Sequence, residues 1–509
     1  MIAFNNMPAN IRTSLFFAEF NSGVPPYSGR SAQIVIGHKT TGGTAVNGIL
    51  LPYGDSDPNV LFGAGSILSD MVQFARRHDP SGAIYVLPVA EPGGAVARVD
   101  TITFTGPATA SGTFVRYLAG ERISIPVASG DSATQIATRF RDAVNAGYVR
   151  FNRRMLWTVT ATSTAGVVTL TSNHGGTVGN QFRVDTGLDG NETDPSGVTA
   201  TVANPTAGAG DVDMSAALAY LNSNAGPWIT SAFAATTTIL NATQTFLSDA
   251  GGGWSPTVQK RAHYTTALSG SLSTLTSFGV ARNDPHATVF GVQNFPHPLW
   301  CISAALNGVI ARSKNIGASI TEAIEISRPF QTLVLEGIRP PKSDVDRWSR
   351  SDRETLYNNG IAGSVVDAAG LVRLERIITT FQRSAYGSSD TTCLDLETLA
   401  QSMYIGAYLR QRIELTYPRC ALMDDNPRNL QGVVTPDSAL NTCRHVWQEL
   451  CDGGIGEKAE LVKKYMRCER SGDVNRLNFF LPADVVNQLR VFAANVTIYT
   501  EFDPNRQVA

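Results

Sequence analysis

Ile34-Val-Ile-Gly37, then Gly63-Ala-Gly-Ser-Ile-Leu-Ser-Asp-Met-Val-Gln-Phe-Ala75, then Ala83-Ile-Tyr-Val-Leu87 are the stretches on which the fold of this chain turns. The first and last are short apolar, β-branched runs of strand length. Between them a glycine turn leads into Ser66, whose hydroxyl suits a helix N-cap. Met71, Phe74 and Ala75 then fall on one helical face, and Asp79-Pro80 ends the helix. Strand, helix and strand in this order form a β-α-β unit, and such units build parallel sheets covered on both faces. The same texture returns after residue 210. Met214 to Leu221 reads as a helix, Trp228-Ile-Thr-Ser-Ala-Phe233 as a strand, and the Ala- and Leu-rich segments around Ala262 to Leu275 and Ser303 to Arg312 as long helices.

The stretch between these two halves differs in character. It is bracketed by Glu91-Pro-Gly-Gly94 and Asn204-Pro-Thr-Ala-Gly-Ala-Gly210, turn-rich segments of linker type. Inside it, Ile102-Thr-Phe104, Thr113-Phe-Val-Arg-Tyr117, Arg122-Ile-Ser-Ile125, Trp157-Thr-Val-Thr160 and Val167-Val-Thr-Leu170 are β-rich runs separated by glycine turns, and one helix, Ser132 to Asn145, interrupts them. This pattern predicts a small inserted β-sandwich with its own core. Such a module is expected to be dispensable for assembly and to project from an outer surface.

Beyond residue 390 helices dominate. Leu396, Leu399, Met403, Ala407 and Arg410 lie near helical spacing until Thr416-Tyr-Pro418, and Ser438 to Leu450 forms a second helix before Gly453-Gly454. A third helix is predicted over 457–469, with Leu461, Val462 and Tyr465 packed and Lys458, Lys463, Lys464 and Arg467 on the open face. Each chain end carries a lone alternating run, Thr13 to Phe20 and Asn495 to Phe502, near the prolines Pro25-Pro26 and Pro482. An isolated strand leaves its backbone groups unpaired, so both runs are expected to find partners elsewhere.

Composition narrows the function classes. With 509 residues the chain exceeds one compact core, and length suggests about three domains. Only 17% of residues are charged and the net charge is -2, so nothing marks a nucleic-acid binder. Low charge with 46 glycines suits a protein that buries surface against copies of itself, and secreted β-rich proteins share this composition, which alone does not separate the two. The six cysteines form no C-x-x-C pair, and five of them lie beyond residue 390; buried free thiols are expected, without metal. Met1-Ile-Ala-Phe-Asn-Asn-Met-Pro lacks the features of a signal peptide, and no run reaches the ~18 apolar residues of a membrane span. Synthesis and folding in a cytoplasm follow as an expectation.

Catalytic and cofactor chemistry finds little support. His174-Gly-Gly-Thr177 and Asp185-Thr-Gly187 resemble fragments of protease sites, but no nucleophile elbow accompanies them, and Asp-Thr-Gly occurs without a second copy. Glycine-rich β-turns account for both. No phosphate-cradling G-x-x-x-x-G-K motif is present, and Gly63-Ala-Gly65 reads as a turn before a capped helix. Asp55-Ser-Asp57 begins like a calcium loop but lacks the glycine and glutamate that such a loop requires. His286 and His297 are assigned structural roles. No catalytic, cofactor-binding or metal-ligating residue is therefore expected.

Further segments give the chain a family resemblance. They are Leu371-Val-Arg-Leu-Glu-Arg-Ile-Ile-Thr-Thr-Phe-Gln-Arg-Ser-Ala-Tyr-Gly387 and Leu481-Pro-Ala-Asp-Val-Val-Asn-Gln-Leu-Arg-Val-Phe-Ala-Ala-Asn-Val-Thr-Ile-Tyr-Thr-Glu-Phe502, with Tyr408-Leu-Arg-Gln-Arg412, Thr416-Tyr-Pro-Arg419, Val433-Val-Thr-Pro436 and Arg476-Leu477 between them. Phe4-Asn-Asn-Met-Pro-Ala-Asn-Ile-Arg12, Phe62-Gly-Ala-Gly-Ser66 and Arg282-Asn-Asp-Pro-His286 extend the likeness over nearly the whole chain. Together they resemble the contractile-tail sheath proteins of Mu-like phages.

The resemblance implies a multidomain α/β chain: an N-terminal arm (1–25), a subtilisin-like α/β sheath domain (26–94 and 211–389), the inserted β-sandwich-like domain (95–210), a tube-facing α+β domain (390–482) and a C-terminal arm (483–509). It implies stacked hexameric rings around a tail tube, contact with baseplate and tail terminator proteins, irreversible contraction and a place in the virion, without cofactor, nucleic acid or membrane insertion. Under it, Leu15, Phe17, Val496 and Ile498 are candidates for strand exchange between subunits. Lys458, Lys463, Lys464 and Arg467 are candidates for tube contact. The alternatives are another tail or shell structural protein and a tail-associated hydrolase.

Overall fold

The computed structural model describes residues 32–54, 56–190, 192–221, 226–498 and 500. The expected Thr13–Phe20 strand, with Leu15 and Phe17, lies outside them. The predicted β-α-β unit is present: Ala32–His38 and Ala83–Val89 pair in parallel, and the Ile67–His78 helix crosses between them. Ser66 caps that helix by accepting the Ser69 N–H at 3.0 Å. The sheet grows to six strands in the order Ala287–Val292, His263–Ser269, Trp228–Ser231, Ala32–His38, Ala83–Val89, Leu51–Tyr53. All neighbours are parallel except the short Leu51–Tyr53 edge.

One segment departs from the sequence reading. Ala262 to Leu275 is not one helix but the strand His263–Ser269 followed by the helix Leu272–Val280. Gly270-Ser271 separates them, and Ser271 caps the new helix through the Thr274 N–H. The Leu299–Ser313 helix is buried on all sides from Trp300 to Ala311, as a central helix must be. It lies tight against the Ile67–His78 helix at Gly308, where an added Cβ would stand 2.9 Å from both the Ala75 carbonyl oxygen and His78 Cβ.

The stretch between the two halves forms two antiparallel sheets and a separate small hairpin, Tyr148–Arg150 with Arg153–Met155. One sheet runs Ala200–Thr206, Ala97–Phe104, Val167–Gly175, Val159–Thr164; the other runs Val184–Asp185, Gly112–Leu118, Glu121–Val127. The Ala133–Ala146 helix, closed by a Ser132–Gln135 capping box, packs on strands of both sheets. Phe104, Phe114 and Phe140 meet with ring centroids 5.1 to 5.8 Å apart inside a core separate from that of the six-stranded sheet. Val96 and Ala209 exchange backbone hydrogen bonds of 2.8 and 3.1 Å, so the chain enters and leaves this part at one point.

Buried charge docks this part onto the six-stranded body. Arg150 is ion-paired to Asp70, at the start of the Ile67–His78 helix, and to Glu121 at 2.8 Å. Asp70 also accepts from the Trp300 indole at 2.9 Å, and the Arg150 guanidinium lies 4.5 Å over the Phe74 ring. Burial would raise the Glu121 carboxyl, but Arg150 and His297 together outweigh it and hold the group at about 2.

The larger core continues from the sheet into the Leu396–Thr416 and Pro436–Asp452 helices through Leu399, Ala400, Tyr404, Trp447 and Leu450. All six cysteines are free thiols, Cys301 and Cys443 fully buried. Among the described residues no helix is long and apolar enough to cross a membrane.

Candidate assembly interface

In an open α/β sheet the usual ligand crevice lies beyond the carboxyl ends of the strands where strand order reverses. Here that point falls between Ala32–His38 and Trp228–Ser231, and the chain fills it. The His38 ring contacts Phe233 at 5.0 Å and His174 at 5.8 Å, and Gln181 donates to the Ala232 carbonyl. His174 accepts the Ile67 N–H at its Nε2 and donates from Nδ1 to Glu91 at 2.8 Å. Both ring nitrogens are thus engaged in tying a helix start to a linker.

The other sequence candidates also resolve into structural links. Asp57 caps the short Pro58–Phe62 helix. Asp185 accepts from Arg183 at 2.9 Å. His286 stacks on Trp254 with centroids 4.5 Å apart, and His297 accepts the Arg339 N–H while its Nε2 faces Glu121 at 3.7 Å. Among the described residues no group of three or more His, Cys, Asp or Glu is placed to hold a metal.

Two resemblance segments far apart in sequence meet in space. Asn283 accepts the N–H groups of Gln382 and Arg383 at 2.8 and 2.9 Å and donates to the Arg383 carbonyl. Asp284 N–H donates to Thr380 Oγ1, whose hydroxyl donates back to the Asp284 carbonyl.

The basic set is more dispersed than the sequence suggests. The predicted 457–469 helix is only Ala459–Tyr465, because Met466 turns extended and Arg467–Arg470 becomes a strand paired with Leu477–Phe480. Arg467 therefore stands outside the helix. Lys458 precedes it with φ 51° and is bridged to Asp484 at 2.8 Å, and Lys463 is bridged to Glu460 at 2.9 Å. Lys464 lies 5.8 Å over the Tyr465 ring. The Ser471-Gly472-Asp473 turn between two short runs was the available sequence signal for this hairpin. Its two strands form a sheet of their own, so each has an outer edge with no strand against it among the described residues.

After Pro482 the chain does not leave the body at once. Val485 bridges to Gly456, Val486 N–H donates to the Ile455 carbonyl, and Gln401 donates to the Val486 carbonyl at 2.8 Å. Arg490 then reaches Asp395 at 3.0 Å and Glu397 at 3.1 Å. Leu489, Val491, Phe492, Val496 and Ile498 are 72 to 89% exposed. Residues 495–498 belong to no helix or strand, so this part of the expected terminal strand pairs with no strand among the described residues. Five large apolar side chains held open on one short segment mark an interaction surface. Sequence reasoning missed the Arg490 anchor, since its carboxylates lie almost a hundred residues upstream.

Comparison with known proteins identifies the class. Residues 207–380 match the phage tail sheath protein central domain. Over 501 residues, 97% of this chain and 98% of the relative, the sequence is 30% identical to the Mu-like prophage FluMu tail sheath protein of Haemophilus influenzae. Among solved structures, the chain is similar to the sheath tail protein from Desulfitobacterium hafniense, with 12% identity, 92% of this chain and 100% of that chain covered, and a TM-score of 0.45. It is also similar to the anti-feeding prophage helical sheath in its contracted state, with 11% identity, 97% and 100% covered, and a TM-score of 0.42. The chain belongs to the phage tail sheath family, of the Mu-like type. It is a structural subunit of a contractile phage-type tail sheath.

Proposed function

We propose that copies of this chain polymerise as stacked hexameric rings around a tail tube, and that the polymer shortens irreversibly to drive the tube through a bacterial envelope. The observation that carries this reading is the exposed apolar segment from Leu489 to Ile498, which has no strand against it among the described residues. Val496 and Ile498 from one subunit, with Leu15 and Phe17 from the N-terminal arm, add strands to a neighbour, and the free edges of the Arg467–Arg470 and Leu477–Phe480 hairpin are suitable acceptors. The driving free energy needs no fuel: rigid subunits have two packing arrangements, and contraction moves the polymer to the lower one.

Within this reading the six-stranded body is the subtilisin-like sheath domain, a likeness of shape and not of activity. The crevice filled by His38, Phe233 and His174 and the structural engagement of both His174 nitrogens support a non-enzymatic role. The five-part division at residues 25, 94, 210, 389 and 482 stands with it, as do the tail tube, baseplate and tail terminator partners and assembly in the host cytoplasm. Lys464 and Arg467 are the stronger tube-contact candidates, because Lys458 and Lys463 already have acidic neighbours within the subunit. Electron microscopy of the purified chain tests the reading. Wide, striated, hollow cylinders are expected, and a preparation that stays monomeric at every concentration would overturn it.

A further inference from the structure

We infer that Arg490 is the root that anchors the C-terminal arm under tension, the last point at which a subunit grips its own arm before a neighbour takes it. The inference rests on the strand-exchange reading above and adds to it the residue that fixes the arm's length. Glu397 is fully buried at the start of the Leu396–Thr416 helix. One of its oxygens accepts the Phe330 N–H at 3.1 Å, and the other accepts from Arg490 at 3.1 Å. Arg490 also bridges to Asp395, which Arg376 holds in a two-pronged pair at 2.9 and 3.1 Å. Two carboxylates and two guanidiniums thus meet where the arm leaves the body. A third cation is nearby: Lys314, whose ammonium donates to the Glu325 carbonyl at 3.1 Å.

The chain upstream is tied at Asp484, Val485 and Val486 by backbone and side-chain hydrogen bonds. Downstream, residues 491–498 make no hydrogen bond to the body among the described residues, and their large apolar side chains are open. Tension arriving through the arm therefore meets Arg490 first. It passes from there into a buried helix start and the Phe330 backbone, both part of the main core. Without Arg490 the root retreats to Val486, which frees four more residues and gives the joint ~13 Å of slack at about 3.3 Å per extended residue. A slack joint no longer fixes the position of one subunit on the next.

The test uses the full chain carrying R490Q, and also E397Q/R490Q, because R490Q alone leaves Glu397 buried without this cation. Limited proteolysis of residues 484–498 and cylinder length by electron microscopy are read together with the melting temperature. Both variants are expected to stay folded, to be cut faster within 487–490 but not within 484–486, and to lose long cylinders, whereas R490K recovers them at least in part. Long cylinders with unchanged cleavage in E397Q/R490Q would overturn the assignment. A chain truncated after residue 495 separates the two ideas. If truncation abolishes cylinders and E397Q/R490Q does not, the root assignment alone is wrong; if the truncated chain still forms long cylinders, strand exchange fails and the root assignment with it.

Discussion

His263 opens a buried parallel strand and is closed to solvent. Thr288 uses its only hydroxyl hydrogen on the Ile378 carbonyl at 3.0 Å, so its oxygen must accept, and His263 Nε2, 2.8 Å away, must be the donor. In the neutral ring the proton therefore sits on Nε2. Burial lowers this histidine from its ordinary 6.5 to about 3, with the charge of His286 adding to the effect. Burial likewise lowers His38 to about 4, partly offset by its hydrogen bond to the Val89 carbonyl. For both, the unfolded chain takes up protons below pH 6.5 while the folded chain does not. Their contribution is therefore complete above pH 6.5 and is lost as pH falls toward 4 and 3, at ~1.4 kcal/mol per pH unit per group at most. Glu121 adds a later loss, since its contribution is present above about pH 4.5 and disappears toward about 2. The melting temperature of the unassembled subunit is expected to be flat from pH 8 to 7 and to fall steadily between pH 6.5 and 5. A flat profile to pH 5 would show that these rings are protonated without cost.

Among the elements, the inserted two-sheet part behaves differently from the separable module that its linkers suggest. Arg150 neutralises Asp70 across the junction and Glu121 on its own side of it, all largely buried, and removing one partner of such a set costs about 3–5 kcal/mol because the others remain buried. R150M is expected to lower stability by that order in chemical denaturation, and R150M/D70N/E121Q to recover much of it. If the single and triple variants were equally unstable, packing and not charge would hold the junction. Replacing the whole insertion by a Gly/Ser linker uncovers Phe74, on which Arg150 and Phe151 lie. Aggregated protein in place of cylinders is the expected yield, the reverse of what the linkers alone implied. Local signals of this kind were legible: Ser66, Ser132 and Gly-rich turns placed helices and strands within a few residues. What escaped was non-local. Arg150 and Asp70 lie eighty positions apart, and nothing in the sequence pairs them. His263–Ser269 escaped for another reason. A parallel strand buried on both faces has no alternation, so its Tyr-Thr-Thr-Ala-Leu run could not be told from a helix by period.

At the scale of the whole molecule, a short apolar segment leaves the body with no strand against it among the described residues. A sheath must keep its subunits joined while each changes its packing, and a backbone-paired strand suits that need because its hydrogen bonds hold the joint while the chain on either side bends. The chain stays fastened to the body past Pro482, through Val486 and Arg490, so the proposed joint begins beyond them. Few contacts of the folded body involve residues beyond Arg490, so removing the tip has little to cost in stability: Val496 and Ile498 are 78 and 89% exposed. Deletion of residues 496–509 is therefore expected to leave a soluble subunit whose melting temperature matches the full chain within a few degrees, while long cylinders disappear. Deletion of residues 1–20 is expected to have the same effect from the other end, because a strand exchanged between subunits needs each arm to reach its neighbour. The two deletions mixed in one tube are the most searching version. Neither chain has both arms, and a polymer that needs both from every subunit cannot be restored by mixing. Cylinders of normal length from the mixture would show that one arm per subunit is enough, and cylinders from either deletion alone would place the joint elsewhere on the body.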